Sequence, residues 1–250
     1  MADITSRKAG YESNVEESPL DFDFTMAFQP IVDITKQKIF GHEALARGLG
    51  GEGAASVLEH VNISNQYQFD QMSRVKAIQL ASILGLDSYL SINFMPNAVY
   101  DAETCISSTL EAAATCKFPL DRLIFEITET EKVEDIAHLR EIVYEYKKLG
   151  FQTAIDDFGA GHSGLHLLAE ICPDFIKIDM SLIRNIDKDK TRQAIAKGIL
   201  HVSRDLGLTP IAEGIETIEE LTVVSDLGIA LCQGYYFAKP AFRALATVTF

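Results

Sequence analysis

The sequence has no pair of cysteines at CxxC spacing. Its four thiols, Cys105, Cys116, Cys172 and Cys232, lie in or beside apolar runs, so they read as reduced and mostly buried, which points to the cytoplasm. Positive charge is also scarce. Lys and Arg number 22 against 36 Asp and Glu, a formal charge of -14, which argues against broad electrostatic attachment to a nucleic-acid polymer or an anionic membrane. An anionic substrate would need a local positive centre. The N-terminal stretch MADITSRKAGYESNVEESPLDFD has no apolar signal-peptide core, and nowhere does an apolar run reach the length that spans a bilayer. No internal repeat, low-complexity tract or linker divides the chain. Residues 1–23 therefore read as a flexible leader too short for a domain, and residues 24–250 as one domain.

Apolar residues, in contrast, are plentiful. At 47% of 250 residues they suffice for one large core. Short apolar runs at 27–32, 39–47, 89–93, 123–128, 153–156, 175–179, 209–213 and 230–233 alternate with helical periodicity at 68–84, 103–116, 133–149, 190–206 and 218–227. That alternation predicts βα units and a (βα)8, TIM-like barrel. The turn at 33–38 is too short for a helical crossover, so the first two strands are expected to form an antiparallel hairpin and make the barrel irregular at its start. Pro210 at the opening of one strand and Pro119 before another occupy places where a missing N–H is tolerated.

Polar residues collect where the strands end. Asn93, Glu126 with Glu129, Asp156 with Asp157, Lys177 with Asp179, Glu213, and Gln233 close six successive strand candidates. In a barrel these ends share the C-terminal face, where active sites of this architecture lie. A single acid after a strand is commonly an N-cap or a solvated loop residue, and Lys177 between Phe175, Ile176 and Ile178 could by itself snorkel or pair structurally. Six strand ends together imply a pocket of carboxylates, an amide and one lysine. Such hard oxygen donors suit Mg²⁺ or Mn²⁺ better than Zn²⁺, and two ions would relieve the repulsion between Asp156 and Asp157. A two-metal centre points to phosphodiester hydrolysis. Gly159, Gly161 and Gly164 after the acid pair permit a tight turn and are weak signs of a phosphate loop.

The motif HEALAR at 42–47 contains Glu-Ala-Leu, and seven further blocks accompany it in order: FQPIV at 28–32, SINFMPNA at 91–98, FEITE at 125–129, AIDDFGAG at 154–161, IKID at 176–179, AEGIE at 212–216 and QGYYFAKP at 233–240. From about Phe24 to Pro240 the chain resembles the EAL-domain cyclic di-GMP phosphodiesterases. The resemblance implies hydrolysis of cyclic di-GMP to linear pGpG, with two Mg²⁺ or Mn²⁺ as cofactors. It makes Glu43, Asn93, Glu126 and Asp156 ligands of one ion, and Asp156 and Asp157 ligands of the second, with Asp156 bridging. Glu213 resembles a further second-site ligand, and Asp179 a residue that binds or orients water at the metal. Lys177 looks like the group that orients or deprotonates the attacking water. Gln29, Arg47 and Gln233 match positions near the substrate, Arg47 being suited to a phosphate by its two-pronged guanidinium. Glu129 and Glu216 match acids that support active-site loops.

Two positions depart from the family pattern: Ala46, where a larger apolar residue is common, and His162, where Tyr is common. The first is expected to affect packing. The second reads as a surface-loop residue, or as a ligand, in a loop the family links to dimer contacts and control. With no room for a second domain, control is expected from homodimerisation, a separate regulatory or sensor protein, expression, or a part of the protein outside this sequence. The helix-like stretches at 158–170 and 181–206 are the expected dimer contacts. The alternative to turnover is a cyclic di-GMP receptor or a protein-interaction module.

Overall fold

Strands β1 (Thr25–Asp33) and β2 (Lys38–Arg47) form the antiparallel hairpin expected from their short turn, with Gln29 opposite Glu43. They open a computed structural model in which residues 20–98, 102–129, 133, 135–161, 164–248 and 250 are described. From β2 the sheet continues in parallel through β3 (Tyr89–Phe94), β4 (Leu123–Thr128), β5 (Gln152–Phe158), β6 (Phe175–Ile178), β7 (Thr209–Ala212) and β8 (Leu231–Cys232). β8 then pairs antiparallel with β1, Val32 opposite Cys232, and the ring of eight strands closes. This is the TIM-like barrel with an antiparallel first strand that the pattern predicts. A two-residue strand, β9 (Ala241–Phe242), adds to β1 at Ala27 and Phe28.

Helices α1 (Ala54–Leu58), α2 (Gln66–Ile83), α3 (Ala102–Cys116), α4 (Ile136–Lys148), α5 (Gly164–Ile171), α6 (Met180–Ile183), α7 (Lys190–Leu206) and α8 (Ile218–Asp226) fill the connections. Their ends follow local chemistry. Asp135 caps α4 by accepting from His138 N, which starts that helix later than periodicity alone suggests. α7 begins at an Asp189 cap and stops at Gly207, whose φ of 73° suits a residue without Cβ. A reciprocal capping box between Thr217 and Glu220 opens α8. Among the described residues no helix is long and apolar enough to cross a membrane.

Two apolar layers position the site. Outside the barrel, Phe94, Phe125, Tyr146 and Phe151 form one aromatic cluster between strands and helices. Inside it, Ile31, Ile124, Ala154, Phe175, Ile211 and Leu231 make a plug, with Phe40 stacked on Tyr89 beside them. Side chains two positions apart on a strand share a face. Ile124 therefore projects like Glu126, Ala154 like Asp156, and Phe175 like Lys177, so the polar layer rests directly on the plug. At the chain's described start, Leu20 and Phe22 pack on the outer cluster.

Candidate active site

Lys177 is the hub. Its side chain is 1% exposed, and Nζ lies 2.8 Å from Asp156 Oδ1, 2.8 Å from Glu213 Oε1, 3.0 Å from Glu126 Oε1 and 3.5 Å from Glu43 Oε2. β2, β4, β5, β6 and the end of β7 thus converge on one ammonium. Burial alone would strip the proton from Nζ, but Asp156, Glu126, Glu213 and Glu43 raise its pKa well above the usual lysine value. The acids shift upward as well, which for a carboxyl favours the neutral form. Burial pushes Glu126 up to about 8 against the pull of Lys177, with Glu43 and Asp156 adding repulsion. Burial likewise raises Glu213 well above its ordinary value.

The adjacent acids Asp156 and Asp157 reach one pocket through a backbone irregularity. Strict alternation would send them to opposite faces of β5. Instead, Ile155 pairs with Ile176 and Phe158 with Ile178, so β5 spends three steps where β6 spends two. The extra residue is a bulge, and Asp157 adopts φ 55° within it. The Asp157 carboxylate accepts from Thr128 Oγ1 at 3.2 Å. Burial and then Asp156 raise its pKa.

Two carboxylate groups result, Glu43 with Glu126 and Asp156, and Asp156 with Asp157 and Glu213, each with ligand atoms within 4.8 Å of one another. Asp156 belongs to both. The donor set is all hard oxygen, and Glu126 Oε2 is buried without a hydrogen-bond partner, a combination that fits a divalent cation. Asn93 adjoins the first group, its amide 3.4 Å from Glu43 Oε1. Asp179 lines the same cleft and caps α6 by accepting from Ser181 N at 2.9 Å.

Gln233 donates to Glu43 Oε2 at 2.7 Å and to Gln29 Oε1 at 3.2 Å, while Gln29 donates to Ala238 O at 3.2 Å. The segment after β8 is thereby tied to β1 and β2. Glu129 accepts from Gly159 N at 2.6 Å and Gly164 N at 2.7 Å, tying both ends of the loop after β5. Glu216 pairs with Arg184 at 2.6 Å. Arg47 ends β2, but its guanidinium donates to Ala46 O at 2.7 Å, and it is not among the residues lining the cleft of about 230 Å³ beside the acids. His162 lies outside the described residues.

Sequence reasoning missed several partners. Ser91 donates to Glu126 Oε1 at 2.6 Å, and alternation two residues before Asn93 could have found it. Thr128, the last residue of β4, lies beside Asp157, and Met180 and Arg184 at the two ends of α6 join Tyr235 in the cleft.

Comparison with known proteins agrees with the geometry. The family model described as "EAL domain" matches residues 14–240. A standalone EAL protein from Vibrio cholerae O395, solved with c-di-GMP bound, is 56% identical with a TM-score of 0.90, covering 92% of this chain and 98% of that one. BlrP1 of Klebsiella pneumoniae, solved as a manganese and cyclic di-GMP complex, is 33% identical with a TM-score of 0.84, covering 91% of this chain and 58% of that one. The blue light- and temperature-regulated antirepressor BluF of Escherichia coli is 31% identical over 223 residues, 89% of this chain and 55% of that protein. Further curated relatives from Shewanella oneidensis and Escherichia coli are named cyclic di-GMP phosphodiesterases or probable ones. The chain spans about half, or less, of the length of these curated relatives.

Proposed function

The chain belongs to the EAL domain family, and from that premise we propose that it is a phosphodiesterase that hydrolyses cyclic di-GMP to linear pGpG using two Mg²⁺ or Mn²⁺ ions. The observation that carries the reading is the pair of carboxylate groups that share Asp156 around Lys177. Glu43, Asn93, Glu126 and Asp156 would hold one ion. Asp156, Asp157 and Glu213 would hold the other, with Asp179 beside them. Bound there, two divalent ions supply charge stabilisation for an in-line phosphoryl displacement and acidify the attacking water.

The chain's own groups do the rest. Nζ of Lys177 is held protonated by four acids. As their charge is neutralised that hold weakens, and Nζ is then placed to orient the attacking water or take its proton. Gln29 and Gln233, both buried, line the same cleft. Arg47 would turn from the Ala46 carbonyl to grip a phosphate. Glu129 and Glu216 keep the flanking loops in register, so the substrate meets a preset wall.

The antirepressor among the relatives favours a second reading, a cyclic di-GMP receptor or protein-interaction module without turnover. Incubation with cyclic di-GMP and Mn²⁺, following pGpG, separates the two when repeated with Glu43→Ala and Lys177→Ala. Turnover in the wild type alone supports the enzyme. Binding without turnover would establish the receptor, and neither would leave the interaction module.

The reading carries with it a cytoplasmic location, in keeping with four cysteines of which none is disulfide-bonded. It also carries a homodimer, or a separate regulatory protein, as the source of control. Support for the dimer comes from an apolar groove between α5 and α7, lined by Phe158, Leu168, Ile195 and Val202, with Leu165 on its edge 72% exposed.

A further inference from the structure

A buried ion pair lies directly behind the two strands that carry Asn93 and Glu126. Asp70 and Arg74, one turn apart on α2, both have fully buried side chains and bond through Asp70 Oδ2 and an Arg74 NH2 group. The guanidinium is flanked by the rings of Phe94 and Phe125, its Cζ 5.1 and 5.3 Å from their centroids. It also donates to Cys105 O of α3 and to Tyr146 Oη of α4, each at 3.3 Å. One arginine thus joins three helices behind β3 and β4.

An isolated pair of this kind is poor value for stability, because apolar residues of similar volume serve as well or better. Its second oxygen suggests another use. Asp70 Oδ1 accepts from the backbone N of Met95 at 3.0 Å, which is the first residue beyond β3 and two beyond Asn93. The strand end that presents Asn93 to Glu43 is therefore pinned from behind by a carboxylate. That carboxylate is itself locked by Arg74, a layered support of the kind that orients metal ligands.

The geometry points to Asp70 as a positioning residue that holds the end of β3 so that Asn93 completes the first cation site, an inference that rests on the metal-centre reading above. Arg74 fixes Asp70, and Asp70 fixes Met95. Neither residue touches substrate.

The test compares two double variants in which both charges leave together, so that no unpaired charge remains in the core. Asp70→Asn with Arg74→Met keeps an acceptor oxygen for Met95 N, whereas Asp70→Leu with Arg74→Met removes it. Mn²⁺ binding is measured by calorimetry without substrate, each variant with and without Asn93→Ala. The leucine form is expected to bind Mn²⁺ about tenfold more weakly than the asparagine form. Asn93→Ala should weaken the asparagine form and add nothing to the leucine form. Equal affinities, or additive losses, overturn the proposal. So does a failure to fold of the leucine form alone or of both, since the pair is then structural. If the wild type binds no Mn²⁺, or Asn93→Ala leaves its affinity unchanged, the metal-centre reading itself has failed.

Discussion

Replacing Lys177 by Met removes the one ammonium among Asp156, Glu213, Glu126 and Glu43 while keeping most of the stem's volume. Deleting one partner of a buried charge pair costs about 3–5 kcal/mol because the other is left uncompensated. For a chain of this size that is a fall of roughly 10 °C in Tm. The loss should depend on pH and on metal. Glu126, whose folded pKa is raised to about 8, contributes stability that is present below its unfolded pKa and lost as pH rises through 8. The metal-free variant should therefore unfold earlier at pH 8 than at pH 5.5, and by a wider margin than the wild type. Mn²⁺ at pH 8 should recover most of the deficit, because cation charge compensates the same oxygens, yet pGpG formation should stay down by at least about a hundredfold. Thermal unfolding with EDTA and with Mn²⁺ at both pH values measures the first part, and product chromatography the second. An EDTA-treated variant as stable as the wild type at pH 8, or a Tm that Mn²⁺ does not restore, would refute the idea that these acids form one charged centre.

Asp157→Gly relieves a φ of 55° and should stabilise the metal-free fold by about 1 kcal/mol, while Mn²⁺ affinity measured by calorimetry falls. Glu129→Ala removes the acceptor for Gly159 N and Gly164 N; hydrogen exchange at those amides should quicken, and pGpG formation should drop about tenfold or more. His42 is buried, with burial lowering its pKa to about 4 against a smaller opposing effect of Asp87, so native stability should decline as pH falls from about 6.5 to 4, by up to roughly 3 kcal/mol. His42→Gln should flatten that part of the denaturant-derived stability profile. Leu165→Glu should convert a dimer to monomer in sedimentation; a wild type that stays monomeric at high concentration with Mn²⁺ and ligand would remove the dimer.

Most of the barrel was legible because each parallel strand is a short apolar run between helical segments, and those periods differ. The hairpin of β1 and β2 followed from turn length alone. β9 was not legible, since Ala241 and Phe242 form two residues of strand directly after Lys239 and Pro240, and their partner is more than 200 residues away. α1, with five residues, is too short for a helical period. Within the site, Glu126, Asp156, Lys177, Glu213 and Gln233 declared themselves by closing strands. Glu43 did not, because it lies mid-strand in β2, and only the motif around it drew attention. The placement of Arg47 against Ala46 O depends on a side-chain rotation that no local pattern encodes.

The adjacent acids show why strand ends alone do not specify chemistry. On an unbroken β5, Asp157 would face the helices as Ile155 does, and only Asp156 would enter the barrel. The bulge turns Asp157 toward the cleft at the cost of a left-handed residue, about 1–2 kcal/mol, and of bringing a second carboxylate beside the first. Neither cost is met at the bulge itself. The inner plug of Ile124, Ala154, Phe175 and Ile211 sets the register of the strands beneath the acids. A slip of one residue would turn Phe125 or Ile176 inward and send Glu126 or Lys177 against the helices. The same alternation that closes the barrel therefore aims its carboxylates. Where β5 breaks that alternation, two acids come to share one pocket.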